Sequence, residues 1–257
     1  MSTLETNSIG KYNGNNVSVD DALRLKTYTT TQRDALTSVA GDTIYNSTTG
    51  TIDFYNGTDW NATSGTTFTI PVSYLVIAGA GGGGTNYGGG GGAGGYRNSY
   101  ASETSGANSS TESVLALTES TNYSVTIGAG GGVEASGYNS TFSNVTAVGG
   151  GAGETIAAGV AGGSGGGGSG ANAGGAGTAN QGYSGGSGLD SGGGTASGGG
   201  GGGAGAVGSN VPSTTVGGAG GNGLSSSITG SAVTRAGGGG GGAGNSGTGG
   251  ALSLIHI

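Results

Sequence analysis

The chain has 257 residues, 70 of them glycine and none cysteine, and only 7% are charged, a composition far from that of an ordinary globular protein. Its formal charge of −7 is the thinly spread balance of 13 acidic and six basic residues, so no Lys/Arg cluster exists to neutralise phosphates, and nucleic-acid binding is disfavoured. Without cysteine there are no disulfides, thiolate metal sites or thiol nucleophile, and no run of about 18 apolar residues offers a bilayer span.

The opening MSTLETNSIGKYNG lacks the apolar run of a secretory signal, which points to cytoplasmic assembly or release by lysis rather than Sec export. Residues 1–27 read as an attachment or linker segment. They hold one short helical candidate, with Ser18 and Asp21 at capping-box spacing before Ala22, Leu23 and Leu25. It is too short to fold alone, so a partner or neighbouring chain is expected to order it.

Between Tyr28 and Trp60, residues 31–34 offer a second cap, followed by a single helical turn ending near Gly41. Two strands are predicted next, at 43–45 and 51–55, because both are β-branched and aromatic runs. The loop between them, 46–50, carries its glycine late, as a hairpin loop does, and Asn56-Gly57 makes a tight turn that returns Trp60 towards the hairpin.

This stretch resembles a short module of phage tail-fibre and collar-fibre proteins. Arg33, Asp34, Ala35 and Leu36 match its first block, Gly41, Asp42, Ile44, Tyr45 and Asn46 its second, and Tyr55, Asn56, Gly57, Thr58 and Trp60 its third. The resemblance covers about an eighth of the chain, placed at 28–61, and implies a virion fibre rather than a reaction.

From Phe68 the sequence FTIPVSYLVIA alternates at Phe68, Ile70, Val72 and Tyr74 and then becomes continuously apolar, which predicts one strand moving from a half-buried to a buried position. Pro71 limits its first half to a sheet edge. Three further strands are predicted at 113–117, 123–127 and 141–148, giving a small β base. Beyond Val148 the chain is glycine arrays separated by inserts at 180–183, 206–216 and 224–235, which carry most of the large side chains of this region.

Such composition reads by default as a flexible low-complexity chain. Ordering it costs on the order of 200 kcal/mol of conformational entropy, and side-chain burial cannot offset that here. The alternative makes the backbone the core. Without Cβ atoms, extended helices of about three residues per turn can lie close enough for their N–H and C=O groups to bond neighbours on every side. The run 198–203 would make two turns, roughly 19 Å, and suits the centre of a packed array. Runs interrupted by Ala or Ser suit its outside. Collagen is excluded because glycine does not recur strictly every third residue, and a Gly/Ser linker describes the Ala-punctuated runs poorly.

The segments VSYLVIAGAGGGG, YSVTIGAGGG, GYNSTFSNVTAVGGGAG and GGNGLSSSITGSAVTRAGGGGGG together resemble the glycine-rich domain of phage adhesins, including the tail-tip adhesins of T-even phages. That resemblance covers 67–251 and implies a sandwich of polyglycine-II helices whose end loops touch a bacterial receptor. The expected fold class is therefore mainly β and polyglycine-II: a small N-terminal fibre module with a β-hairpin, then a β element and a packed glycine-helix array. The N-terminal attachment features of the T-even adhesins are not recognisable.

LSLIHI, residues 252–257, breaks from the composition before it and contains the sole histidine. It is similar to the translation of a transposon-derived sequencing adapter, so 252–257 is expected to be non-native and the protein to continue past Ala251; the bland alternative is a short terminal strand.

Motifs for chemistry are weak. Gly79-x-Gly81-x-x-Gly84 follows an apolar strand like a dinucleotide fingerprint, but TNYGGGGGAGG after it promises no helix. Gly185-Gly-Ser-Gly-Leu-Asp190 matches part of a calcium-binding nonapeptide, yet stands alone, with only Glu154 and Asp190 acidic beyond Val148. Asp20 and Asp21, or Asp53 and Asp59, suit a cap and a hairpin surface better than acid–base work, and a non-native His256 leaves no imidazole base. No catalytic, cofactor or metal site is expected, and an enzyme is the least favoured class.

The leading expectation is a virion tail-fibre or tip adhesin, extracellular after release, that binds a host cell-surface receptor, either an outer-membrane protein or a polysaccharide, and docks on other fibre subunits without inserting into a membrane. A homotrimer is left open. Receptor contact is expected at Tyr183, Asn210, Pro212, Leu224 and Ile228 in the inserts. For Tyr87, Tyr96, Arg97 and Tyr100, packing against the β base competes with contact. The rival readings are a purely structural virion or matrix spacer and an ice- or surface-binding protein, the latter requiring a flat Thr or Ala face that the uneven inserts do not supply.

Overall fold

The computed structural model describes residues 25–63, 69–119, 121–192, 196–244 and 247–253. The capping box expected at Ser18 and Asp21 lies outside these residues, as do Phe68 and residues 254–257. The chain divides into two compact units, Met1–Phe68 and Thr69–Ile257.

The first unit is a four-stranded sheet of β1 (Thr27–Tyr28), β2 (Thr43–Asn46), β3 (Thr51–Tyr55) and β4 (Trp60–Ala62), in that order, with one short helix, α1 (Thr30–Asp34). The helix starts earlier than predicted. Thr29 and Gln32 form the capping box, each side chain bonding the other's backbone N–H, and this reciprocal pair outcompetes a start at residue 31. The chain leaves the helix at Ala35 instead of continuing towards Gly41. The predicted hairpin forms: Gly50 closes it at φ +72°, donating to the Asn46 carbonyl at 2.8 Å. Gly57, at φ +101°, turns the chain so that Trp60 pairs with Tyr55, their rings 5.5 Å apart.

Polarity in this sheet is inverted. Asn46 and Asp53 are fully buried beside Ile44, whereas Tyr45, Ile52 and Phe54 lie on the exposed face. The buried carboxylate is held by Arg33 Nη1 at 2.8 Å, Asn46 Nδ2 at 2.8 Å and Thr51 Oγ1 at 2.6 Å. Burial pushes the Asp53 carboxyl up, but these three donors outweigh it and hold it below the ordinary carboxylate value. Asp53→Asn leaves Arg33 without its buried counter-charge, and is expected to cost about 3 kcal/mol. Trp60 is the sole tryptophan, so its fluorescence in a denaturant titration of the intact chain reports this unit alone; an unshifted midpoint would contradict the assignment.

The second unit is built from short strands and glycine runs. β5 (Thr69–Val72) pairs with β8 (Leu115–Thr118), β6 (Leu75–Ile77) with β7 (Tyr96–Asn98), and β9 (Val125–Thr126), β10 (Ser140–Phe142) and β11 (Val145–Ala147) form a three-stranded sheet. Two hairpins follow, β12 (Leu189–Asp190) with β13 (Ala196–Ser197), and β14 (Leu224–Ser226) with β15 (Val233–Arg235). The single strand predicted from Phe68 is two strands with different partners. Ser99 clasps Tyr74 between them, its Oγ accepting from the Tyr74 N–H at 2.8 Å. Tyr74, Val76 and Ala78 then alternate inward and meet Val145 and Ala147 in a small apolar cluster, whereas Ile70 is exposed. The strand predicted at 141–148 is a hairpin, because Ser143 takes φ +54° and reverses the chain.

The chain is mainly β with very little helix, and its glycine runs have a bonding pattern of their own. In 198–203 every N–H donates and every C=O accepts, always to another segment. Residues 198 and 201 donate to Gly242 and Gly239, 199 and 202 to Gly168 and Gly165, and 200 and 203 to Ser209 and Ala206. Their carbonyls accept, in the same steps of three, from Gly218 and Gly221, from Gly90 and Ala93, and from Gly186 and Tyr183. Six neighbours thus surround one run, and the run is buried throughout. Residues 88–95 repeat the pattern: Gly89, Gly92 and Gly95 donate to Glu154, Gly151 and Val148. Backbone pairing here does the work that side-chain packing does in an ordinary core.

Candidate functional site

The five residues expected to touch a receptor fall in three places. Tyr183 belongs to the array: its N–H donates to Gly203 and its carbonyl accepts from Gly165, each at 3.0 Å. The residue is half-buried, and its hydroxyl accepts from Asn108 Nδ2 at 3.2 Å, which also donates to the Gly205 carbonyl. Asn210 and Pro212 are exposed on one loop, fixed to the array where Asn210 Oδ1 accepts from the Ser187 N–H at 2.8 Å. Leu224 and Ile228 share the β14–β15 hairpin. Leu224 is half-buried opposite Arg235, and Ile228, also half-buried, lines a shallow hollow with Leu75 and Ile77.

That hairpin is anchored rather than free. Glu103 accepts from the Ser227 N–H at 2.7 Å and from Asn98 Nδ2 at 3.0 Å, so one carboxylate ties the insert to strand β7. Burial raises the Glu103 pKa, but its hydrogen bonds with Ser226, Ser227 and Asn98 bring it below the ordinary glutamate value.

Of the residues whose packing and contact readings competed, Tyr96 is fully buried and is therefore a packing residue. Tyr87 and Tyr100 are half-buried. Arg97 belongs to a polar cluster. Its Nε and Nη2 meet Glu112 at 3.0 and 2.5 Å, Tyr74 donates its hydroxyl to the same carboxylate at 2.8 Å, and Ser105 adds a bond of 2.9 Å. Burial and the neighbouring carboxylate push the Tyr74 hydroxyl up to about 12. Burial also raises Glu112, but Arg97, Tyr74 and Ser105 together leave it below the ordinary value. No local motif in the sequence marks this cluster. The available signal was scarcity, since Arg97, Glu103 and Glu112 place three charges within 16 residues of a chain that is 7% charged.

Above the cluster lies an open groove of about 950 Å³, walled by the segment 108–115, by Asn144 at the β10–β11 turn and by residues 179–181. Among the described residues no group of three or more His, Cys, Asp or Glu could hold a metal ion, and no helix is long and apolar enough to cross a membrane.

Residues 38–253 match the model of a family described as a glycine-rich domain. No curated protein and no solved structure matched the chain. Because the matched span covers most of the sequence, the chain belongs to the glycine-rich domain family.

Proposed function

We propose that the chain is an attachment protein of the phage tail-fibre or tip-adhesin kind, in which glycine runs in polyglycine-II geometry hold receptor-binding inserts on a stiff platform. The observation that carries this reading is the bonding in steps of three around 198–203, where six neighbours satisfy every amide and carbonyl. A helix of about three residues per turn directs its donors and acceptors in that way. The inserts 206–216 and 224–235 leave and re-enter such runs, so their ends are fixed while exposed residues such as Asn210 and Pro212 face solvent. A fixed frame lowers the ordering cost of binding, which is the physical advantage of carrying recognition on such loops. The first unit, which bears the fibre-module resemblance, would dock on other fibre subunits.

The test uses labelled intact chain on a panel of Gram-negative and Gram-positive cells. Binding to a restricted subset is expected, together with loss of at least tenfold in affinity when 206–216 and 224–235 are replaced by Gly-Ser segments of equal length. Unchanged binding would remove the inserts from the interface. Absence of binding to every cell type would favour the spacer reading.

A further inference from the structure

We propose that the groove above Glu112 binds an uncharged, hydroxyl-rich ligand, a neutral saccharide. Its charge balance comes first. Among the described residues Arg97 is the only basic one lining it, and both Nε and Nη2 of that guanidinium are taken by Glu112, the only acidic one. The floor therefore offers no spare charge to a phosphate, sulfate or carboxylate. The rim is amide and hydroxyl. Asn144 and Asn180 are exposed on two separate walls, and among the described residues their side chains make no hydrogen bond within the chain. Ser110 and Ser113, on the third wall, are likewise exposed with uncommitted hydroxyls.

Each free amide offers two donors and an acceptor oxygen, and each hydroxyl can do both. Such groups match the mixed donors and acceptors of vicinal sugar hydroxyls, whereas an apolar ligand would strip them of water without replacement. The volume of about 950 Å³ is at the upper end of the usual range for small-ligand sites and has room for several sugar rings. The floor is preorganised, since Tyr74, Arg97 and Ser105 all converge on one carboxylate and hold the wall 108–115 in place. None of the groove's walls belongs to the inserts 206–216 or 224–235. The inference borrows the attachment reading only for its biological use.

The experiment is saturation-transfer NMR followed by calorimetry on the intact chain, with maltotriose, cellotriose and chitotriose as neutral probes and trigalacturonate as the acidic one. At least one neutral trisaccharide is expected to bind with a Kd of about 1 mM or tighter. The double substitution Asn144→Ala, Asn180→Ala is expected to weaken it at least tenfold while leaving amide exchange at Tyr74 and Val76 unchanged. No transfer from any neutral probe at about 10 mM would overturn the proposal, as would unchanged affinity in the double variant or equal affinity for trigalacturonate. A chain that binds sugar here but no cell would retain the groove and lose the adhesin role, and the reverse result would separate them equally well.

Discussion

Gly201→Ala is expected to destabilise the second unit by more than about 3 kcal/mol, although it adds a single methyl group. An ideal Cβ at Gly201 would lie 2.0 Å from the Gly91 carbonyl oxygen and 2.5 Å from its carbon. The obstacle is backbone, and it cannot rotate aside as a side chain would. Relief requires the runs 88–95 and 198–203 to separate, which breaks the bonds that the Gly199 and Gly202 carbonyls accept from Gly90 and Ala93. Gly130→Ala is the control, because a Cβ there would have the Ala80 carbonyl at 3.6 Å, an ordinary contact. That variant is expected to be neutral or stabilising by about 0.5 kcal/mol through the reduced freedom of its unfolded chain. Chemical unfolding gives the free energies, and amide exchange through 198–203 shows whether the runs have parted. Equal stability of both variants would refute a core made of main chain.

Acid is expected to loosen the same unit, with Glu112 as the main origin. Its carboxyl sits below the ordinary value of 4.5, so the folded state binds fewer protons than the unfolded one as pH falls. Its contribution is complete above about pH 4.5 and disappears as pH drops through the depressed folded value; Glu103 acts with the same sign. Glu112→Gln removes the counter-charge of Arg97 and one acceptor of the cluster, for about 2 kcal/mol at neutral pH. It is also expected to flatten the acid limb of the stability curve. Amide exchange at residues 74–78, measured from pH 7 down to pH 3, checks both effects. An acid limb as steep in the variant as in the parent would assign the sensitivity to other carboxylates.

The sequence made the β2–β3 and β3–β4 turns legible because they need Gly50 and Gly57, and few other residues reach those backbone angles. It misplaced α1, since Thr29-x-x-Gln32 and residues 31–34 both look like helix starts until the backbone bonds are known. The break at Ser73 and Tyr74 was hidden, because it depends on Ser99, a residue 25 positions later. The reversal at Ser143 was hidden too, for serine rarely takes a positive φ and nothing local announces it. The insert 224–235 looked like loop because its strands are three residues each, and Glu103 from a distant segment holds them. The groove was illegible for the same reason: its walls come from three segments, and only the fold brings Asn144 and Asn180 to it.

The recurrence of main-chain bonds every third residue has an implication for how such a chain can change length. Inserting three residues into a run advances it by a whole repeat, so each amide still faces the neighbour it had before. Inserting one or two swings the remaining donors by about a third of a circle onto the wrong neighbours. Lineages of this domain should therefore gain and lose glycines in triplets inside the buried runs, while the exposed connections drift in length without any such rule.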